Sequence, residues 1–359
     1  MKILILKPSS LGDVIQALPV LRLLKRHLPA SQIDWWIDSR LASLLEGDPD
    51  LNQIIRFERQ RWGSPAHWPE MFRSIAGLRA REYDWVIDLQ CLLRSGLFAW
   101  LAQGKLLVGL DEPREGARGF YDIIVRRTSF HTHAVDWYLA VLPHLNVPVH
   151  HNFVWLPERV QITADINAKW DSAPGRWIAL QPGARWLNKR WPVEHFAELT
   201  RRLAADYADV RFAVFGGKEE RSLAEAVCRA APDRSLNLAG QTSLPEMVGW
   251  LRRCELLVTN DTGPMHVAAA LGKPVIGLFG PTEPRRTGPY GQLEQVLQHR
   301  LPCIPCLKSR CAWHQPIECL RAITPEDVLH SVRRRIKQHP EYKASGARQS
   351  GASANSGSG

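Results

Sequence analysis

Residues 255–272 read ELLVTNDTGPMHVAAALG. Glu255–Thr259 is short and apolar, which predicts a buried strand. Asn260-Asp261-Thr262-Gly263-Pro264 interrupts it, and the Ala-rich run to Gly272 predicts a helix. Pro274–Phe279 (PVIGLF) reads as the next strand. A strand, a crossover helix and a second strand form the repeating unit of a parallel sheet covered on both faces. Working upstream, Trp177–Gln181 and Arg211–Phe215 are strands. Trp191–Tyr207, with Pro192 in its first turn, and Glu219–Ala230 are helices. Ser243–Arg253 is a third helix, opened by Ser243 with Glu246 three residues on, a capping box. The same alternation fills the first part of the chain. Lys2–Lys7, Ile33–Ile37, Tyr83–Leu89 and Lys105–Leu110 read as strands. Leu11, Val14, Ile15, Leu18, Leu21 and Leu24 mark a helix that Pro19 should bend, and Leu92–Leu101 is another. The pattern weakens between 111 and 175 and then restarts, so two α/β units are expected.

The chain has 359 residues, a length that suits about two domains. Apolar residues make up 45% and charged residues 23%, which excludes a disordered, collagenous or coiled-coil chain. No window approaches about 18 consecutive apolar residues, so no membrane-spanning helix is expected. The opening MKILILKPSS lacks the pattern of a signal peptide, which predicts a cytosolic protein with its seven Cys as thiols. Forty-six Lys and Arg against 36 Asp and Glu leave +10. That charge suits nucleic acid, an anionic membrane surface or a phosphorylated small molecule, or else simple solubility. Ser345–Gly359 has no apolar content to bury and should be disordered.

Three loops between a strand and a helix carry the chemistry. Lys7-Pro8-Ser9-Ser10-Leu11-Gly12-Asp13 offers a glycine, a helix start with unpaired N–H groups and one carboxylate. Asp13 suits a general base, or merely a favourable charge in a first helical turn. In Asn260–His266, Thr262 and Gly263 turn N–H groups and a hydroxyl toward any phosphate. Asp261 suits a sugar hydroxyl or an N-cap, and His266 suits a phosphate donor or a buried core position. Gln181–Pro192 adds Arg185, Lys189 and Arg190; a leaving diphosphate needs such cations, with Lys189 and Arg185 the candidates, or the segment is a solvated basic loop. Neither G-x-G-x-x-G after the first strand nor G-x-x-x-x-G-K-[ST] anywhere is present, which argues against nicotinamide and P-loop chemistry.

Together these loops resemble the ADP-heptose:lipopolysaccharide heptosyltransferases of glycosyltransferase family 9. The resemblance covers about residues 1–335. It includes S-S-L-G-D, D-L-Q-x-x-x-R-S-G at Asp88–Gly96 and R-E-G-x-x-x-F-Y at Arg114–Tyr121. His133-Ala134-Val135-Asp136, the P-G…K-x-W-P loop, N-D-T-G-P-M-H and G-P-T-x-P at Gly280–Pro284 complete it. The resemblance implies a GT-B fold, two Rossmann-like domains facing across a cleft. The acceptor domain would be 1–165 and the nucleotide-sugar domain 171–323. The helix at 324–338 would cross back to the first domain, and 345–359 would form the tail. It implies an inverting, metal-independent transfer without cofactor, from ADP-heptose to an anionic lipid A-linked saccharide. The enzyme would be cytoplasmic, peripheral to the inner membrane face, with no nucleic-acid partner. Asp13 matches the general base and Lys189 the diphosphate lysine. Asp261, Thr262, Gly263 and His266 match the donor loop, with Ser9, Ser10, Gly12 and Arg185 beside it. Thr242 and Ser243 fall near the adenine, Glu219 or Glu220 near the ribose, and Arg114 on the acceptor side. A relative transferring another sugar, or a non-catalytic binder of the same fold, remains the alternative.

Cys303, Cys306, Cys311 and Cys319 lie within 17 residues and suit either a structural zinc or reduced thiols packing a loop. Asp48-Pro49-Asp50 spells the D-x-D of metal-dependent transferases but lies in a polar turn far from the donor half. Trp35, Trp36, Trp85 and Trp177 fall in strands and are expected in the core.

Overall fold

The structure is a computed structural model that describes residues 1–112, 115–170 and 175–338. The first sheet comprises β1 (Lys2–Leu6), β2 (Gln32–Asp38), β3 (Gln53–Phe57), β4 (Trp85–Asp88), β5 (Leu106–Leu110) and β6 (Ile123–Val125). The second comprises β7 (Arg176–Gln181), β8 (Val210–Val214), β9 (Ser235–Asn237), β10 (Leu256–Asn260), β11 (Val275–Phe279) and β12 (Val296–Gln298). Both are wholly parallel. Their orders are 3-2-1-4-5-6 and 12-11-10-7-8-9. Numbered within its own half, the second order is the first one reversed, so the two halves share one topology. Their central strands are nearly continuous apolar runs, with polar residues confined to the ends, because helices cover both faces.

Each sheet has an outer core. Leu4, Leu6, Trp36, Val86 and Phe98 fill that of the first unit. Ile178, Leu180, Phe196, Phe212 and Val258 fill that of the second. A third cluster lies between the sheets. It joins Ile3, Ile5 and Trp35 through helix Leu11–His27 to Val267 and Ala268 of helix Gly263–Ala270. The two units thus share an apolar layer. Trp35, Trp36 and Trp177 are buried as expected, and Trp85 is half-buried.

The last helix, Pro325–Gln338, corrects one expectation. Val328, Leu329, Val332 and Ile336 bury in the second unit's outer core. Arg202–Glu326 (2.6 Å) and Arg333–Asp206 (2.7 Å) tie its exposed side to helix Val193–Asp206. It therefore seals the second unit rather than returning to the first. Near the expected boundary, helix Val160–Lys169 packs on helix Leu244–Arg253, where Gly249 leaves room for Ile166. Residues 345–359 lie outside the described residues.

Asp48 and Asp50 both accept from the Arg22 guanidinium, at 2.5–2.7 Å, and Arg22 and Asp48 are buried. The D-x-D is thus consumed by an internal ion pair that holds its turn against the first helix.

Candidate active site

In open parallel sheets, ligands bind beyond the carboxyl ends of strands where the strand order reverses. Here the reversals fall between β1 and β4 and between β7 and β10. The loops after β1, β7 and β10 are the three that the sequence singled out. They meet in one cleft of about 850 Å³. Ser10, Gly12 and Asp13 line it from the first unit, and Arg185, Lys189, Asp261, Thr262, Gly263 and His266 from the second. Helices Leu11–His27 and Gly263–Ala270 both start at this cleft, so two sets of unpaired N–H groups and two positive dipole ends converge there.

Asp13 sits in the first turn of its helix. One carboxylate oxygen accepts from the Ser10 N–H (2.9 Å) and hydroxyl (2.7 Å). The Tyr138 hydroxyl lies 3.5 Å from the other oxygen. Burial pushes this carboxyl up, but the Lys7 ammonium and the Ser10 bonds outweigh it and hold it below the ordinary range. Lys7 is buried, donates to the Leu89 carbonyl at 2.9 Å and lies over the Tyr138 ring. Burial opposes its charge, while Tyr138 and Asp13 keep it protonated. Asp13 is thus an ionised proton acceptor facing the cleft, positioned by Ser10, Lys7 and Tyr138. Neither Lys7 nor Tyr138 carries a sequence signal for this role, because the Tyr138 helix joins the site only through the fold.

His266 stands opposite. Burial drives its pKa down to about 4, outweighing Asp261 and Asp13, so the ring is neutral. The Gln16 amide lies 3.2 Å from Nδ1, and an NH₂ group can only donate. The proton therefore sits on Nε2, a neutral donor. Its ring packs on Gly12, where an added Cβ would stand 2.3 Å from Cδ2. Gly263 relates to Leu11 in the same way, with 2.8 Å to Cδ2. Both glycines serve close contact between the two units at the floor of the cleft.

On the donor side, Lys189 Nζ lies 2.6 Å from Asp261 Oδ2 and 4.7 Å from the centre of the Trp186 ring. Asp261 Oδ2 also accepts from the Thr282 hydroxyl at 2.7 Å. Asn260 ties the loops after β7 and β10 together, donating to the Pro182 carbonyl (2.8 Å) and accepting from the Trp191 N–H (2.9 Å). Thr262 is the residue that opens its helix, so Asp261 is not the cap. Thr282, Glu283, Arg286 and Thr287 complete the wall. The G-P-T-x-P motif follows β11, the same strand edge, and that position was the signal for them.

Other expected residues lie elsewhere. Ser9 turns into a separate cavity of about 140 Å³ in the first unit, with Arg59 and Arg94. Glu220 is buried behind Gly183 and accepts from the Gly217 N–H at 3.0 Å. Glu219 is the exposed member of that pair. Ser243 exchanges bonds with Glu246 as a helix cap, and Thr242 is half-exposed beside it. None of these five lines the 850 Å³ cleft. Arg114 lies outside the described residues. Asp88 accepts from Gln90, Cys91 and the Tyr121 hydroxyl (2.7 Å), all buried or nearly so. The D-L-Q and F-Y motifs therefore support each other. His133 takes the Val135 N–H at Nδ1 and faces the Gly288 carbonyl at 3.0 Å, and Asp136 accepts from Tyr290 at 2.5 Å. That motif links the two units. The four cysteines surround a small apolar pocket with Ile304 and Trp313. Burial, then the neighbouring thiols, push Cys319 up to about 11. Among the described residues no three His, Cys, Asp or Glu are placed to hold a metal ion, so the zinc expectation has no geometric support.

A family model described as glycosyltransferase family 9 (heptosyltransferase) matches residues 71–316. Lipopolysaccharide heptosyltransferase 1 of Pseudomonas aeruginosa is 35% identical over 341 residues, 89% of each chain. The structure of Escherichia coli ADP-heptose lps heptosyltransferase II superposes with a TM-score of 0.76 at 25% identity, over 94% of this chain and 99% of that one. E. coli heptosyltransferase WaaC with ADP-2-deoxy-2-fluoro heptose superposes at 0.72 and 25%, over 93% and 99%. Among the described residues no helix is long and apolar enough to cross a membrane.

Proposed function

The chain belongs to glycosyltransferase family 9 and is a glycosyltransferase of the GT-B fold, and from that premise we propose that it moves a heptose from ADP-heptose to the inner core of lipopolysaccharide with inversion. The acceptor would be a Kdo-lipid A or heptosyl-Kdo-lipid A saccharide. The observation that carries the reading is the cleft itself, with one ionised carboxylate on its first wall and a lysine and a helix start on its second.

An acceptor hydroxyl gives its proton to Asp13 while its oxygen attacks the anomeric carbon from the face opposite the diphosphate. The bond from that carbon to the diphosphate oxygen breaks, and the electron pair leaves with ADP. Lys189 exchanges Asp261 for the diphosphate, Arg185 approaches from the rim, and the Thr262–Gly263 N–H groups absorb the remaining charge. His266 Nε2–H adds a neutral donor. These groups supply the charge stabilisation without a bound metal, and Asp48 and Asp50 are already committed to Arg22. The adenosine runs outward toward Glu219, Thr242 and Ser243. Arg114 belongs to the acceptor side. The domains close on the pair of substrates, because base and leaving-group contacts stand on opposite walls.

The test is ADP release from a panel of nucleotide-sugars, with and without lipid-linked acceptor, for the parent chain and Asp13→Asn. The expected result is a preference for ADP-heptose and a loss of about 10²–10⁴ in turnover on Asp13→Asn with ADP affinity unchanged. A fully active Asp13→Asn would remove Asp13 as the base. Preference for another sugar would leave the fold and base in place and change the donor.

A further inference from the structure

The first unit carries an uncovered apolar face on the side away from the second unit. Helices Trp68–Arg79 and Leu93–Leu101 lie side by side on the outer core of the first sheet. They bury Ile75, Leu78, Phe98 and Ala99 beneath them. The outward stripe of Leu93–Leu101 is apolar too, and Trp68–Arg79 exposes Trp68 and Phe72 alongside Arg73, Ala76 and Gly77. Trp68 and Phe72, one turn apart, and Leu93, Leu97 and Trp100, on successive turns, are 40–58% exposed. Ordinary surface helices present polar residues there, and contiguous exposed apolar side chains mark an interaction site.

Charge says what kind. Residues 89–110 contain no Asp or Glu; they include Arg94, and Lys105, which is paired with Asp84 at 2.7 Å. Arg73 and Arg79 stand on the neighbouring helix, the latter donating to the Leu101 carbonyl at 3.0 Å and so bridging the two. Glu70, the carboxylate of that helix, is neutralised by Arg61 at 2.7 Å. Trp, Phe and Leu set among arginines is the composition of a surface that lies in a lipid interface and is drawn to anionic headgroups. The face also leads somewhere. Its Leu93 end adjoins the 140 Å³ cavity formed by Ser9, Trp36, Phe57, Arg59, Arg94 and Glu115, at the carboxyl edge of the first sheet. A saccharide rooted in the bilayer would enter the first unit there.

We propose that the outer face of helices Trp68–Arg79 and Leu93–Leu101 seats this protein on an anionic lipid bilayer, with Trp68, Phe72, Leu97 and Trp100 in the headgroup region. The inference deepens the reading of a lipid-linked acceptor and rests on it only for the choice of partner.

Flotation of the full chain with vesicles of phosphatidylcholine, or of phosphatidylcholine with about one third phosphatidylglycerol, tests this. The parent chain should bind the anionic vesicles, bind the neutral ones far less, and be released by salt. Trp68→Ser/Phe72→Ser and Leu97→Ser/Trp100→Ser should each weaken vesicle binding about tenfold or more. Their ADP affinity should stay unchanged, which also shows that they are folded. Parent-like vesicle binding by both double variants would overturn the proposal. So would a parent chain that ignores vesicles and instead self-associates through this face in sedimentation. If vesicle binding behaves as expected but no lipid-linked saccharide accepts sugar, the membrane face stands and the acceptor reading falls.

Discussion

Gly12→Ala tests the contact on which the cleft is built. A Cβ there would lie 2.3 Å from His266 Cδ2, 2.9 Å from Nε2 and 3.2 Å from Cγ. Carbon atoms rest at about 3.5–4.0 Å, so ring and helix must part by more than ~1 Å. Rotating the ring offers no easy relief, since Cγ itself is too close and Gln16 holds Nδ1. Alanine gains about 0.5–1 kcal/mol over glycine in a helix, and overpacking a tight contact costs about 1–3 kcal/mol. The net expectation is destabilisation by about 0–2.5 kcal/mol. Because the contact joins Asp13's helix to the donor loop's helix, a ~1 Å displacement should also lower turnover about 10²-fold. His266→Ala removes the ring, and in that background Gly12→Ala should be neutral or stabilising. Urea unfolding of the parent, both single variants and the double variant reads the coupling directly, expected at about 1–3 kcal/mol. Initial rates of ADP release report the geometry. If Gly12→Ala costs the same with and without the His266 ring, the contact is not the cause and the argument fails.

The remaining expectations are these. Sugar transfer should persist in excess chelator, and a complete loss restored by magnesium would refute charge stabilisation by Lys189, Arg185 and N–H groups. Arg22→Met leaves Asp48 buried without its main partner and should cost about 3–5 kcal/mol in thermal or urea unfolding, with no change in metal dependence. Burial holds folded His266 at about 4 against an ordinary 6.5, so the unfolded chain takes up its proton first. Its contribution should therefore be present above pH 6.5 and be lost as pH falls toward 4, and His266→Gln should flatten that part of the stability–pH curve.

Much of this was legible in the order of residues. Strands such as Leu256–Asn260 and Val275–Phe279 are short apolar runs between turn residues, and the Ser243–Glu246 capping box is local chemistry, so both can be read without the fold. The loops after β1, β7 and β10 were legible for the same reason, since glycine, proline and charge cluster where a strand hands over to a helix. The edge strands β3, β6, β9 and β12 were not, because they are three to five residues long and mostly half-exposed, and carry little apolar signal of their own.

Only the tertiary structure decided which of those polar residues meet. It put Glu220 behind Gly183 and left Glu219 in solvent, although the two are adjacent in the chain. It brought Lys7 and Tyr138, 131 positions apart, around Asp13, and Gln16 to His266 across 250 positions. It laid Pro325–Gln338 on the second unit, because that helix's apolar stripe fits the groove beside Val193–Asp206. Periodicity and capping act over a few residues, so sequence alone determines the elements and their ends. Packing and the electrostatics of a shared cleft depend on contacts between distant segments, and those exist only once the chain has folded.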